Sequence, residues 1–432
     1  MTTSGTAFLD ELDARGLFAN CTDRAGLAEL LTKEAPISAY AGYDPTSSSL
    51  HVGNLVPTIM LKRLQLAGHR PIIVVGGATG MIGDPSGKSD ERNLLDDATL
   101  QANLAGIRAQ LAKLLDFEAP TTGALMTNNA DWTKGISYLE FLRDVGKHLT
   151  INYMMGKDSV RSRLEGDSGI SYTEFSYMLL QAFDFVELAK PPTNCRLQVG
   201  GNDQYGNITA GTELQHKLGG RPRLFGLTAP LLLDSRGEKM GKTSTGERVW
   251  LDPARTPPFE FYKYWFNVSD DDAPRLLRMF SLRPLAEINE LLAAHDQDRA
   301  KRTAQRELAR AMTSWVHGDE AVKRVETANK VFATGSLDGL SADELSSLAG
   351  TIPTVDLPRS ELESGLNIVD LLARTVADSK GAARRLVQEG GAYVNNVKIA
   401  EIEHKVTREH LVAEVWLLVR RGKKELRLVR AV

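Results

Sequence analysis

Two short stretches carry residue types suited to phosphate chemistry. His51-Val52-Gly53-Asn54 follows an apolar run and a Pro45-containing loop and precedes a helical pattern, so Gly53 falls where a helix N-terminus would meet a ligand. N–H groups and the helix dipole favour phosphate there, and an imidazole can donate a hydrogen bond to charge developing on phosphoryl oxygens. Lys239-Met240-Gly241-Lys242-Thr243 lies among Gly237, Gly241 and Gly246, which leaves its lysines on a segment free to move. Transfer at phosphorus relies on positioning and on cations that meet charge as it appears, and a closing lysine loop supplies both. Singly, the first stretch also fits a capping histidine and the second a solvated surface loop. Together they point to one ATP-handling site.

Tyr177, Gln181 and Asp184 fall at i, i+4 and i+7, so on a helix they share one face as a polar stripe among apolar neighbours. Tyr40 and Tyr177 also suit ordinary core aromatics with satisfied hydroxyls. Gly83-Asp84-Pro85-Ser86-Gly87-Lys88-Ser89 imitates a P-loop, but three residues rather than four separate its glycines and no strand directly precedes it, so that reading is rejected. The two cysteines, Cys21 and Cys195, can form neither a disulfide framework nor a zinc cluster, and the eight histidines include no pair at ligand spacing. No structural metal is expected; any metal arrives with the nucleotide.

The elements that must position these residues alternate. An apolar run at 37–43, a helical pattern at 55–68 and a strand at 71–75 ending in Gly76-Gly77 make a β-α-β unit, and Ile72 to Val75, apolar on both faces, suit a buried parallel sheet. A strand at 197–199 running into Gly200-Gly201, with a helix from near Asn207, repeats the arrangement. Ligands bind where loops leave such strand ends. The expectation is an α/β chain: a Rossmann-like parallel-sheet catalytic domain over 1–232, the lysine loop and a linker over 233–257, an α-helical domain over 258–349, a second linker over 350–364 and a small α+β domain over 365–432. In the last, helices at 368–377 and 380–388 precede strands joined by tight turns at Asn395-Asn396 and at 420–423.

With 432 residues, 42% hydrophobic and 25% charged, the composition is that of a folded multidomain protein. No apolar run approaches the ~18 residues of a membrane span, and acids at Asp10, Glu11 and Asp13 stand where a secretory signal needs a basic end, which leaves the protein in the cytoplasm with no membrane partner. The net charge is −3, yet residues 365–432 carry 13 lysines and arginines against 8 acids. Lys380, Arg384 and Arg385, with Lys398, Arg420, Arg421, Lys423 and Lys424 able to flank them, form a patch that would contact RNA phosphates more than bases, or simply face solvent.

The two opening stretches resemble the signatures of class I aminoacyl-tRNA synthetases. Tyr40-Ala41-Gly42-Tyr43-Asp44-Pro45-Thr46, the glycine-rich run from Gly76 to Pro85, the stretch from Tyr172 to Gln181 and Gly200-Gly201-Asn202-Asp203-Gln204 resemble bacterial tyrosyl-tRNA synthetases in particular. The likeness spans the chain, its helical middle being similar to that family's anticodon-binding region and its tail to a ribosomal-protein-S4-like RNA-binding domain. It implies activation of L-tyrosine by ATP, with pyrophosphate released, followed by transfer to the 3′ end of tRNA(Tyr) for protein synthesis. It also implies Mg²⁺ accompanying ATP and a homodimer, with 141–148 at the interface. By the same resemblance, Tyr40 and Asp184 hold the substrate's phenolic hydroxyl and Tyr177, Gln181 and Asp84 its α-amino group. Gln204 lies near the reacting carboxylate. Gly201, Asp203 and Asn54 lie at the ribose, with Asp44 and Gly53 close by, and Thr46, His51, Lys239, Lys242 and Thr243 surround the phosphates. Asn54, Tyr205 and Ala41 depart from the family's usual His, Trp and Cys. A tryptophan-specific relative is disfavoured because an indole offers no hydroxyl to read, and an RNA-binding protein without catalysis because Lys239, Lys242 and Asp203 are kept.

Overall fold

The computed structural model describes residues 4–86, 96–165, 169–243, 245–422 and 425–432. They form two compact units, Met1–Thr256 with Lys263–Met312, and Pro257–Tyr262 with Thr313–Val432.

The first unit is built on a six-stranded sheet of β1 (Asn20–Cys21), β2 (Ser38–Tyr43), β3 (Arg70–Val75), β4 (Leu125–Asn128), β5 (Cys195–Gly201) and β6 (Phe225–Ala229). Its order is β1-β6-β5-β2-β3-β4, parallel throughout except where the short β1 runs against β6. Ile72, Ile73, Val74 and Val75 are all at most 2% exposed, the two-faced burial that a parallel sheet between helices requires. The chain lays down β2, β3 and β4 outward, then returns to the other side of β2 for β5 and β6. The loops leaving β2 and β5 therefore part in opposite directions and open a crevice at their carboxyl ends.

The helix Leu55–Leu66 joins β2 to β3 and buries Leu55, Ile59, Leu61 and Leu64 completely. Pro57 sits in its first turn, where a backbone N–H has no partner within the helix and its absence costs little. Two details differ from the sequence-based expectation. β5 does not stop before its glycines, because Gly200 and Gly201 still pair with Thr228 and Ala229. The following helix, Tyr205–Lys217, starts two residues earlier than Asn207, led in by a single tight turn at Asn202–Gln204.

The helix Tyr172–Leu188 carries the polar stripe. Ser171 caps it by accepting from Glu174 N–H, and Glu174 is itself locked by Arg163, whose two terminal nitrogens meet its two carboxylate oxygens at 2.7 and 2.9 Å. Both side chains are at most 5% exposed.

In the second unit a five-stranded sheet runs β10-β9-β12-β13-β7, from β7 (Thr354–Leu357), β9 (Ala392–Val394), β10 (Val397–Lys398), β12 (Trp416–Arg421) and β13 (Glu425–Ala431), with β8 (Leu366–Asn367) and β11 (Lys405–Val406) as a separate pair. Asn395 and Asn396 take φ of 43° and 66° and turn β9 into β10, as a two-residue turn with both central φ positive demands. Alternation along β12 and β13 buries both faces. Trp416, Leu418, Leu426 and Leu428 pack on the helices Asp319–Thr334 and Ala342–Leu348, while Leu417, Val419, Val429 and Ala431 pack on the helices Ile368–Thr375 and Lys380–Gln388. For this reason the units do not divide at 349 and 365: the tail's sheet needs the preceding helices to cover one face, and the expected linker holds β7, paired parallel to β13.

Removing one partner of a buried ion pair strands the other charge in the interior, at a cost of about 3–5 kcal/mol. Arg163→Met is expected to lower the stability of the first unit by that order in urea unfolding, while Arg163→Met with Glu174→Leu, which removes both charges, loses less.

Candidate active site

At the carboxyl ends of β2 and β5 lies a cavity of about 470 Å³. Tyr40, on β2, closes one end, 1% exposed, and its hydroxyl has no hydrogen-bond partner among the described residues. Beside it the Asp184 carboxyl, buried on the helix Tyr172–Leu188, accepts from Trp132 Nε1 at 2.8 Å and from Asn129 Nδ2 at 3.0 Å. Two donors do not exhaust a carboxylate's lone pairs. Burial raises the Asp184 pKa to about 7 against the two hydrogen bonds that lower it. Burial, and then the nearby Asp184 charge, hold the Tyr40 phenol well above its ordinary value, so Tyr40 stays a neutral donor. The closed end thus presents one spare donor and one carboxylate acceptor, a match for a ligand hydroxyl that both gives and takes.

A polar chain runs outward from there. Asn129 Nδ2 also donates to Thr79 Oγ1 (2.9 Å), Thr79 Oγ1 to Asp44 Oδ1 (3.1 Å), and Tyr177 OH to Asp44 Oδ2 (3.1 Å). Next to it Asp84 accepts from Gln204 Nε2 (2.7 Å) and from the Ser86 N–H (2.9 Å), and Gln181 Oε1 accepts from Asn207 Nδ2 (3.1 Å). The Asp84 carboxylate, with Gln181 and Tyr177 lining the same cavity, suits an ammonium group. A Cβ at Gly76 would come within 2.6 Å of both Asp44 Oδ1 and Thr79 Oγ1, so a larger residue there would push this pair apart.

The opposite end is cationic. His51 caps the short turn Val52–Asn54, its Nδ1 accepting from Gly53 N–H (3.0 Å) while Asn54 Oδ1 accepts from His51 N–H (3.0 Å). With Nδ1 engaged as an acceptor, the ring hydrogen of a neutral His51 sits on Nε2. Asn54 thus keeps its amide nitrogen as the donor on offer. Lys239, Met240, Gly241 and Lys242 line the same cavity, with Thr46, Gly53, Gly201 and Asp203. Burial raises the Asp203 pKa, the Asp84 charge adds to this, and Lys239 opposes it.

The lysine stretch is a hydrogen-bonded ribbon rather than an open loop. Met240 N–H donates to Leu232 O, Val249 N–H to Gly241 O and Thr243 N–H to Glu247 O, and the Gly241 N–H is held by Tyr264 OH at 3.0 Å. The glycines that suggested freedom serve its turns: Gly237 and Gly246 have φ of 82° and 86°, and Gly241 120°. The ribbon continues onto the first signature, since Leu251 N–H donates to Leu50 O and Val52 N–H to Val249 O.

Of the sequence-predicted residues, Tyr40, Asp44, Thr46, His51, Gly53, Asn54, Asp84, Tyr177, Gln181, Asp184, Gly201, Asp203, Gln204, Lys239 and Lys242 line the cavity. Thr243 does not; its hydroxyl meets that of Thr245 at 2.8 Å. Ala41 and Tyr205 are also outside the lining, and Gly87, Lys88 and Ser89 lie outside the described residues. In the second unit Arg384 and Arg385 are exposed, Lys380 is paired with Asp370 at 2.6 Å, and Lys423 and Lys424 lie outside the described residues. Sequence reasoning missed Thr79, Asn129, Trp132, Asn207 and Arg248. Thr79 lay inside a run already singled out, and Asn207 stands one helical turn after Asp203 and Gln204, a spacing that could have flagged it; Asn129, Trp132 and Arg248 have no such relation to the predicted residues.

The profile for class I tRNA synthetases (W and Y) matches residues 32–333, and that for the tyrosine–tRNA ligase SYY-like C-terminal domain matches residues 344–429. A tyrosine–tRNA ligase of Rhodopirellula baltica is 49% identical over 434 residues, covering 100% of this chain and 98% of the relative. One of Roseiflexus castenholzii is 46% identical, covering 99% and 100%. A C-terminally truncated mitochondrial tyrosyl-tRNA synthetase of Aspergillus nidulans superposes with a TM-score of 0.67 at 32% identity, over 75% of this chain and 93% of its own. A tryptophanyl-tRNA synthetase of Encephalitozoon cuniculi shares the fold, with a TM-score of 0.54 at 16% identity, over 79% and 94%.

The raised Asp184 carboxyl makes stability depend on pH. Its folded pKa of about 7 lies above the 3.8 of an ordinary aspartate, so between these values the folded protein binds the extra proton and loses stability as pH rises. Between pH 5 and pH 8 the parent should lose roughly 2–3 kcal/mol through this group. Asp184→Asn, which does not titrate, should show a correspondingly smaller loss when urea unfolding is measured at the two pH values without ligand.

Proposed function

The chain belongs to the class I tRNA synthetases for tryptophan and tyrosine, and among them to the tyrosine–tRNA ligases, and we propose that its cavity holds L-tyrosine by the phenolic hydroxyl at the closed end and ATP across the two signature stretches. It is an enzyme that attaches tyrosine to tRNA using ATP. The observation that carries the site assignment is the unpartnered Tyr40 hydroxyl beside the Asp184 carboxyl. A tyrosine hydroxyl accepts from the first and donates to the second. Phenylalanine leaves the Tyr40 hydroxyl buried and unpaired, a cost of about 1–3 kcal/mol, and leaves Asp184 with only its Trp132 and Asn129 bonds; an indole offers no hydroxyl to meet both groups.

With the ring so placed, the α-ammonium group falls to Asp84, Gln181 and Tyr177, and the carboxylate, near Gln204, faces the cationic end. There the carboxylate oxygen attacks the α-phosphorus of ATP and pyrophosphate leaves. The Nε2–H of His51 and the ammonium groups of Lys239 and Lys242 meet the charge that builds on the phosphates, Thr46 lies beside them, and Thr243 joins when the ribbon closes on ATP. Asp203, Gly201 and Asn54 take the ribose, with Asp44 and Gly53 at the margin. No side-chain nucleophile takes part. The lining at the phosphate end supplies cations and a nitrogen donor, which fit phosphate and not a divalent metal, so Mg²⁺ belongs to the ATP it accompanies.

The same reading assigns residues 258–349 to the anticodon side of tRNA(Tyr) and residues 365–432, with Lys380, Arg384 and Arg385, to its backbone. It makes the protein a cytoplasmic homodimer joined near 141–148, where exposed Tyr138 and Leu139, 61% and 76% accessible, leave an apolar surface. No helix among the described residues is long and apolar enough to cross a membrane.

ATP–pyrophosphate exchange with each amino acid in turn should respond to tyrosine alone; a signal from tryptophan equal to that from tyrosine would overturn the assignment of the closed end. In the same assay Lys242→Ala should lower the activation rate by ~10²–10³ with tyrosine affinity unchanged. Cutting the chain at 365 would strip β12 and β13 from the helices they cover, so the tail is better tested by Arg384→Glu with Arg385→Glu. Exchange should be retained and the rate of tRNA charging at limiting tRNA should fall, with a shallower dependence on salt than the parent's because two phosphate contacts are gone.

A further inference from the structure

The register of the lysine ribbon sets two like charges face to face. Val249 N–H donates to Gly241 O at 2.9 Å and Thr243 N–H to Glu247 O at 2.7 Å. Lys242 and Arg248, bridged between those bonds, are therefore the non-hydrogen-bonded antiparallel pair, the arrangement that brings opposed side chains closest on one face. Like charges so opposed destabilise a ribbon. Neither has a carboxylate within 4.0 Å among the described residues, and both line the cavity. A pairing that is unfavourable by itself becomes favourable when a polyanion lies between the two cations.

The same face continues to the first signature. Arg248 and Trp250 are two residues apart in extended backbone, hence on one side, and the guanidinium lies 5.4 Å from the indole centroid. Trp250 is in turn the non-hydrogen-bonded partner of His51, with ring centroids 6.3 Å apart, and is covered by Arg255 at 3.4 Å, whose guanidinium also donates to Ser47 Oγ at 2.6 Å. The indole is thus fixed between the His51 segment and the arginines.

We propose that Arg248 is a further catalytic residue of tyrosine activation, which binds the β- and γ-phosphates of ATP opposite Lys242 and stabilises the departing pyrophosphate, and that Trp250 is its positioning residue. The proposal rests on the placement of the phosphates at this end of the cavity. In the step, the tyrosine carboxylate oxygen forms a bond to the α-phosphorus, the bond from that phosphorus to the oxygen bridging to the β-phosphorus breaks, and its electron pair leaves on pyrophosphate. Negative charge therefore grows where Arg248 and Lys242 face each other, and their attraction to it is larger in the transition state than in bound ATP. A planar guanidinium can take two phosphate oxygens at once, and the indole face holds its plane.

The test uses the full-length protein and its Arg248→Gln, Arg248→Lys, Trp250→Ala, Trp250→Phe and Lys242→Ala variants, measured for tyrosine affinity, single-turnover activation rate and the pyrophosphate dependence of the reverse reaction. Arg248→Gln is expected to slow activation by ~10- to 100-fold and to raise the pyrophosphate concentration for half-maximal reversal similarly, with tyrosine affinity within about twofold. Arg248→Lys restores part of the loss. Trp250→Ala shows the same division between rate and affinity to a smaller extent, and Trp250→Phe retains more than Trp250→Ala. Activation and pyrophosphate dependence both within about twofold of the parent in Arg248→Gln overturn the proposal, as does an equal fall in tyrosine affinity, which marks a merely structural residue. If Lys242→Ala also leaves activation intact while the parent activates tyrosine, the placement of the phosphates falls, and the proposal with it.

Discussion

Leu251 N–H donates to Leu50 O and Val52 N–H to Val249 O, and through these two bonds the segment bearing the lysines is registered against the segment bearing His51. Side chains alternate along such a ribbon, so a slip of one residue would turn Trp250 and Arg248 away from His51 and the cavity. The rest of the cationic end follows from that register: Lys239 and Lys242 reach a common space with His51 only because their ribbon is pinned at 249–252, and Tyr264 holds its turn at Gly241. The parallel sheet supplies the crevice by parting the loops of β2 and β5, but the ladder decides which side chains stand in it.

At the closed end the governing term is desolvation. Asp184 is held by Trp132 and Asn129, yet burial still lifts its carboxyl to about 7, and the Tyr40 hydroxyl is left with no partner. Both features work against the stability of the empty protein. They become an advantage when a ligand hydroxyl satisfies both, and discrimination arises from the groups that a ligand without a hydroxyl would leave unpaired. The chain through Asn129, Thr79, Asp44 and Tyr177 ties this end to the polar centre, so the orientation of Asp184 is set by side chains that follow β4, β3 and β2 together.

The second unit follows a different constraint. Alternating apolar residues on β12 and β13 require cover on both faces, and only helices from before and after the expected linker provide it. A basic surface such as Arg384 and Arg385 can therefore be presented by a short helix without that helix having to carry the core alone.

Periodicity and glycine placement were enough to read β2, β3, the helix after β2 and the two-residue turn at Asn395-Asn396, because these depend on contacts close in sequence. The polar stripe of Tyr177, Gln181 and Asp184 was legible for the same reason, since helical spacing alone puts it on one face. Asn129, Trp132 and Arg248 were not legible, and Asn207 only in part. Asn207 meets Gln204 within a helical turn but Gln181 only through helix packing, the others act on partners placed by the fold or the ribbon, and no local pattern marks an asparagine that orients a carboxylate across 55 residues of chain. The glycines around Lys242, read from sequence as room to move, take the turns of a ribbon held by tertiary hydrogen bonds. Sequence by itself determined which chemistries were present, through residue type and short-range period. Tertiary structure decided which of them meet, because register across a ladder and burial of a charge are properties of segments far apart in the chain.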